Sequence, residues 1–285
     1  RFRGGGAGTQ TAGLAFAGYN PPSSDVVANA EQYNGSSWTE VADLNTARTT
    51  FGSNGTQTSA LGFGGNPPIT GAAESWDGSS WTEVGDLNTA RRQLEGAGAD
   101  NTSSIAFGGE TPGSAQVAIA ESWNGTSWTE VADLNTARNN LAGLGISTSA
   151  LGVGGDTPPG HISNTEIWNG SSWTEIADLT TSRSTLAASG TTSAGLAFSG
   201  YVAPSNTGKT ELWNGTSWSE TTDMSVARSQ ASGTGTQAAS IAFGGEPPPT
   251  GTLTEEWNAG VAIGAWVTSG SMNTAKKLLG GFGTP

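Results

Sequence analysis

The chain has no cysteine and one histidine, and these two scarcities narrow its chemistry before any motif is read. Without thiols there is no disulfide framework, no thiolate metal site and no Cys nucleophile. A single imidazole, His161, allows a Ser-His-Asp triad in one place and no His-rich metal site, so neither cofactor nor metal is expected. Charged residues make up only 12% of the 285, and 11 Lys and Arg against 24 Asp and Glu leave a net charge of −13. No basic run exists, so the clustered cations that release counterions from nucleic acid are missing, and no nucleic-acid partner is expected. No apolar stretch approaches the roughly 18 residues of a membrane span, so membrane insertion is not expected either. No signal segment is visible, and Arg1 already falls in register with a repeat.

That repeat is what the chain has in abundance. Its clearest copy runs from Glu121 to Arg138, ESWNGTSWTEVADLNTAR, and the second Trp of each copy falls at Trp38, Trp81, Trp128, Trp173, Trp218 and Trp266. The spacings of 43, 47, 45, 45 and 48 residues lie in the range of propeller blades. The 44 Gly, with much Ser, Thr, Asn and Pro, could signal disorder. Eleven Trp and eight Phe recurring in register argue against it, because disordered chains are poor in aromatics. Sixteen of the 24 acids also sit at repeated positions, so the acidity comes largely with the scaffold.

Each unit opens on a basic residue (Arg1, Arg48, Arg91, Arg138, Arg183 or Arg228) with a Gly seven residues later. The approximate units are 1–47, 48–90, 91–137, 138–182, 183–227 and 228–275, within one domain spanning 1–285. A second segment, such as SIAFGG, alternates large and small residues with period two and so reads as a strand with one nearly bare face. The bare face gives the neighbouring sheet's side chains room to approach. A third segment ends in Glu-x-Tyr/Trp, and a fourth begins at the anchor Trp. Between them lies NGSS, DGSS or NGTS, a strong hairpin signal. Four strands per unit and six units predict an all-β fold, a six-bladed β-propeller of four-stranded antiparallel blades.

A hydrophobic run ending in Gly-Gly, then Glu-x-Tyr/Trp, a Trp about five residues on and an Arg ten residues later resembles the kelch repeat across essentially the whole chain. The first and fifth runs depart from it, ending Ala17-Gly18 and Ser199-Gly200. The wording WNGTSWTEVADLNTAR with GTQTAGLAFAGY also resembles kelch-type repeats of marine tailed phages, cyanophages in particular.

The repeated residues read as architecture. The six Glu at 31, 74, 121, 166, 211 and 255, with the basic residues at 48, 91, 138, 183, 228 and 276, are expected to form one partly buried ion pair per blade. Each pair would tie a third strand to the loop entering the next blade. Asp43, Asp86, Asp133, Asp178 and Asp223 each stand alone in their blade, which suits loop capping better than Ca²⁺. Asn34, Asn124, Asn169 and Asn214 form sequons, but at hairpin tips where the turn itself calls for Asn-Gly. The sialidase Asp-box needs Asp-x-Gly, whereas Asp77 is followed directly by Gly78. The kelch-built copper oxidases need a Cys-Tyr crosslink that this chain cannot form.

The copies differ in the loop after Gly-Gly, which reads NPPSSDVVAN, NPPITGA, ETPGSAQV, DTPPGHISN, YVAPSNTGK and EPPPTGTLT. Pro and Gly make these pre-organised surface loops, and the kelch resemblance implies that their face holds ligands. The candidate binding residues are Asn20, Asp25, Asn66, Glu110, Asp156, His161, Tyr201, Lys209 and Glu246. The acids that differ between blades, and so could serve a glycosidase, are Asp25, Asp77, Glu95, Asp100, Glu110, Asp156, Glu246 and Glu256.

The expected function is a non-catalytic binding module on a phage virion appendage, tail-fibre-like, recognising host-surface polysaccharide or protein. Other virion proteins are possible partners. The alternatives are an intracellular kelch adaptor and a glycan-degrading propeller enzyme. One strand is in excess, because the first segment occurs at Arg1–Gly8 and again at Lys276–Gly283. Leu279 stands where the first copy has Gly4, so burial favours 276–285 as the ring-closing strand, with 1–6 displaced.

Overall fold

Alternation of bulky and small residues builds the second strand of every blade. In Ser59–Phe63, Leu61 and Phe63 are buried on one face while Ala60 and Gly62 leave the other almost bare. A Cβ on Gly62 would lie 3.1 Å from the ring of Phe16 in the preceding blade, and one on Gly152 3.3 Å from that of Phe107. The missing side chains therefore admit the neighbouring blade's aromatic rings, as the sequence pattern implies.

The computed structural model describes residues 1–20, 25–247, 250–260 and 264–272. They form six four-stranded antiparallel sheets, each in simple sequence order, with no α-helix among the described residues. Blade 1 comprises Gly5–Thr9, Ala12–Asn20, Asp25–Tyr33 and Trp38–Val41; blade 2 comprises Gly52–Thr56, Ser59–Phe63, Ala73–Trp76 and Trp81–Val84. The innermost strands of blades 3 to 6 are Glu95–Asp100, Ala142–Ile146, Ala187–Thr191 and Ser232–Gly235. Each inner strand touches the next around a central axis, and Gly5–Thr9 touches Ser232–Gly235 to close the circle.

Adjacent blades are joined by one recurring aromatic pair. The last bulky residue of a second strand meets the anchor Trp of the next blade: Phe16 with Trp81 at 4.7 Å, Phe63 with Trp128 at 5.0 Å and Phe107 with Trp173 at 4.9 Å. Phe198 meets Trp266 at 4.9 Å, and Phe243 meets Trp38 at 5.2 Å across the seam. The side chain of Asn34, Asn124, Asn169 or Asn214, or of Asp77, accepts two backbone N–H groups inside its hairpin tip, as the turn reading requires. Asp43, Asp133, Asp178 and Asp223 each cap a third-strand N–H in their own blade.

Two expectations require correction. The ion pairs form within a blade rather than with the Arg that follows. Arg1 holds Glu31, Arg48 holds Glu74, Arg91 holds Glu121, Arg138 holds Glu166, Arg183 holds Glu211 and Arg228 holds Glu255. The last five are fully buried. The incoming loop explains the choice, because Asn45 or Asn88 just before the Arg also donates backbone and side-chain N–H groups to the same carboxylate. The innermost place of blade 1 is taken by Gly5–Thr9, in register from Gly5↔Phe16 to Thr9↔Ala12. The predicted closing strand, 276–285, lies outside the described residues. Glycine wins this place by close approach, since a Cβ on Gly5 would fall 2.6 Å from the Phe16 ring and one on Gly6 2.8 Å from that of Phe243. Hydrogen bonds to Gly4 and Gly8 from Ser232 and Thr234 then fasten the seam.

Candidate functional site

Two positions after each basic residue stand Arg3, Thr50, Gln93, Asn140, Thr185 and Gln230, all different in side chain or neighbour yet identical in backbone. All six take the left-handed conformation, with φ between 51° and 58°, at about 1–2 kcal/mol each for a residue with a Cβ. A closed circle of backbone hydrogen bonds holds them there. Thr50 N–H donates to Arg3 C=O at 2.9 Å, Gln93 to Thr50 at 2.6 Å and Asn140 to Gln93 at 3.0 Å; Thr185 donates to Asn140 at 2.8 Å, Gln230 to Thr185 at 2.9 Å and Arg3 to Gln230 at 3.1 Å. This ring forms the mouth of the central channel on the face of the variable loops.

A second ring surrounds the first. The residue just after each basic residue bridges, antiparallel, to the first residue beyond the glycine pair: Phe2 to Tyr19, Thr49 to Asn66, Arg92 to Glu110, Asn139 to Asp156, Ser184 to Tyr201 and Ser229 to Glu246. The pair itself supplies the turn, with Gly64 and Gly65 at φ of 72° and 108°. Five of the nine sequence-predicted residues, Asn66, Glu110, Asp156, Tyr201 and Glu246, thus occupy equivalent places on one six-fold frame. In blades 3 to 5 the loop beyond is folded into a short hairpin, Asp156–Thr157 against Gly160–His161 being one.

Over blades 3 to 5 the variable side chains join into two polar clusters. Arg92 donates to the Glu110 carboxylate at 2.7 Å, while Asn139 Nδ2 donates to the same carboxylate at 3.0 Å and to Gln93 Oε1 at 2.9 Å. Beside it, His161 Nδ1 meets an Asp156 oxygen, Asn140 Nδ2 donates to the other Asp156 oxygen at 3.0 Å, and the Tyr201 ring stands edge-on to His161 at 5.3 Å. Ser184 Oγ lies 3.1 Å from His161 as well, so the one Ser-His-Asp constellation the composition allows is physically present. Its geometry is not that of a relay. Both partners approach Nδ1, so a proton shared there with Asp156 leaves that nitrogen no lone pair for the serine, whereas a triad needs the serine on Nε2.

The remaining predicted residues fall apart from this group. Asn20 is buried and pairs in the ladder with exposed Asp25 at the tip of blade 1. Lys209 reaches outward to Glu220 on the outer strand of blade 5. Glu246, on the frame but outside both polar clusters, accepts Asn206 Nδ2 at its carbonyl, 3.0 Å away. Among the described residues no group of three or more His, Asp or Glu is placed to hold a metal ion, and no helix is long and apolar enough to cross a membrane.

Sequence reasoning passed over the inner ring. Its signal was present, since the two residues after each basic residue read FR, TT, RQ, NN, ST and SQ, set between an invariant cation and a small-residue strand. It also gave no weight to where Glu95 sits. Glu95 occupies a place held by Gly5, Gly52, Ala142, Ala187 and Ser232 in the other blades, and so projects the one carboxyl group among the described residues that line the channel. It accepts the Gly96 and Ser53 backbone N–H groups, yet burial outweighs both and pushes its carboxyl up to about 8.

No protein-family model matches the chain, and no curated protein matches it. Among solved structures, one titled "Structure of YjhT" superposes with a TM-score of 0.74 over 93% of this chain and 96% of that one, at 11% sequence identity. At that identity the likeness concerns the propeller fold alone.

Proposed function

We propose that this chain is a non-catalytic binding module that grips its ligand with the loop face, as part of a phage virion appendage recognising a host-surface glycan. The observation that carries the reading is the contrast on that face between frame and content. Eighteen backbone positions around the mouth repeat six-fold through the bridges and the hydrogen-bonded circle, while their side chains differ from blade to blade. A scaffold that fixes backbone and varies side chains orders its binding groups in advance, which lowers the entropy cost of binding. Amides, hydroxyls, a Tyr and ion-paired carboxylates suit a polyhydroxylated ligand. The arrangement at His161 favours binding over catalysis, because its serine and aspartate compete for one nitrogen. The assignment to a virion rests on the resemblance of the repeats to those of tailed phages.

The test is a glycan array and host-cell adhesion assay with the purified chain. Wild type should bind without releasing sugar. Asp156→Ala with Tyr201→Ser should weaken adhesion about ten-fold or more, the loss of roughly one good polar contact. Released sugar would replace this reading with a glycosidase, and capture of a protein ligand with no glycan signal would replace it with a protein adaptor. Unchanged adhesion after all six loops are exchanged for Gly-Ser would show that the binding face lies elsewhere.

A further inference from the structure

The channel behind the mouth is a separate feature from the outer loops. A cavity of about 90 Å³ opens at the inner ring, lined by Arg3, Gln93, Asn140 and Gln230 at the rim and by parts of Leu94, Leu141 and Leu186. Glu95 stands at its base, where a second cavity of about 90 Å³ continues along the axis between Gly6, Ser53, Gly143 and Gly233.

Architecture does not require Glu95. Five blades fill its place with Gly, Ala or Ser, and a carboxyl there forfeits solvation that no cation among the described residues restores. A costly group on the wall of an open cavity is a binding group by economy of explanation. Arg3 and Glu95 are the only titratable side chains among the described lining residues, and the strands facing Glu95 present Gly6, Ser53, Gly143, Ala188 and Gly233. One guanidinium, itself donating to Gln230 Oε1 at 2.6 Å, and one half-buried carboxyl favour neither a strong cation nor a strong anion. Amide side chains at the rim offer donors and acceptors together, and the leucines offer an apolar wall for C–H groups.

We propose that this axial cavity binds the vicinal-diol edge of a neutral sugar residue, with Glu95 donating from its carboxyl group below and Gln93, Asn140, Gln230 and Arg3 bonding the hydroxyls at the rim. The inference rests on the loop-face reading and names the subsite within it. The carboxyl must be protonated to donate, and burial keeps it so through neutral pH. Binding is therefore fully developed below the pH at which Glu95 ionises and fades as pH rises past that point.

The experiment is calorimetric titration with glucose, galactose, mannose and glycerol at about pH 6 and about pH 10, on either side of that ionisation. Wild type should bind at least one of these polyols, with affinity about ten-fold lower at the higher pH. Glu95→Gln, which keeps a neutral donor of the same shape, should bind equally at both, and Glu95→Ala should bind about ten-fold more weakly at the lower pH while melting no lower than wild type there. Three results would each overturn the inference: no polyol binds, Glu95→Ala binds as tightly as wild type, or wild-type affinity ignores pH. Host adhesion that is lost on loop exchange but untouched by Glu95→Ala would remove the channel subsite and leave the loop-face reading standing.

Discussion

A single hydroxyl distinguishes two kinds of blade junction. The anchor indoles Trp38, Trp218 and Trp266 donate Nε1–H to Thr254, Thr165 and Thr210, the first third-strand residue of the preceding blade, at 3.1 to 3.2 Å. At the equivalent place the other three blades carry Ala30, Ala73 and Ala120, and the buried Nε1–H groups of Trp81, Trp128 and Trp173 find no acceptor among the described residues. The geometry that accepts Thr in three junctions is the same frame, so Ala73→Thr and Ala120→Thr should each stabilise the protein by about 1 kcal/mol, the usual net worth of a hydrogen bond. A raised denaturant midpoint with an unchanged slope is the expected result, and a lowered midpoint would show that the extra methyl does not fit. The buried Arg–Glu pairs pull the other way. Burial lowers the pKa of Arg48, Arg91, Arg138 and Arg183, with the paired Glu as the largest opposing influence. Removing one partner strands a charge, so Glu121→Ala should cost about 3–5 kcal/mol in thermal unfolding. Glu31→Ala should cost less, because Arg1 keeps 11% of its side chain in solvent and can rehydrate.

Between elements, the blades are matched by size across each junction. Phe63 seats against Gly96, Phe107 against Gly143, Phe198 against Gly233 and Phe243 against Gly6, each in the next blade's inner strand. Blade 4 breaks the pattern on both sides at once, with Val153 for Phe and Ala188 for Gly, and the two share one core cluster. Phe16, opposite Ser53, leans on Phe51 at 5.6 Å instead. Val153→Phe alone should therefore overpack, costing about 1–3 kcal/mol, and adding Ala188→Gly should recover at least about 1 kcal/mol of that loss. Additive effects in that double-mutant cycle would refute size matching at this junction. The fold was legible in the sequence because such packing is repetitive: Trp, Phe and Gly return at fixed offsets, and period two exposes the strands. The partner of each Arg was not legible, since Glu31 and Glu74 lie 17 and 26 residues from Arg48 on either side and only the closing loop decides between them. The inner ring escaped for a related reason. Thr, Gln, Asn and Arg do not announce a left-handed backbone, which here follows from hydrogen bonds between blades rather than from residue type.

At the scale of the molecule, closure depends on the first and sixth blades meeting without sharing a strand among the described residues. Their seam is made of ordinary junction parts, namely Phe243 on Trp38, Tyr33 donating to Glu256 at 2.6 Å, and Gln10 donating to Trp257 C=O at 2.7 Å. The six inner strands thereby enclose one channel, and Glu95 is the carboxyl group that its described lining carries. In the unfolded chain its carboxyl titrates near 4.5, and in the folded protein at about 8. The folded state therefore holds this proton more tightly than the unfolded state between those values. By linkage, stability falls as pH climbs through that window, and the full penalty is present once pH exceeds about 8. Glu95→Ala removes the penalty and installs the residue that blades 4 and 5 already use at Ala142 and Ala187. The variant should match the parent at about pH 4 and exceed it by about 1–3 kcal/mol at about pH 9, the upper end being reduced because channel water reaches the carboxyl. Paired thermal melts at the two pH values measure this directly. A stability difference of the same size at both would mean that the carboxyl ionises in the channel as freely as it does in the unfolded chain.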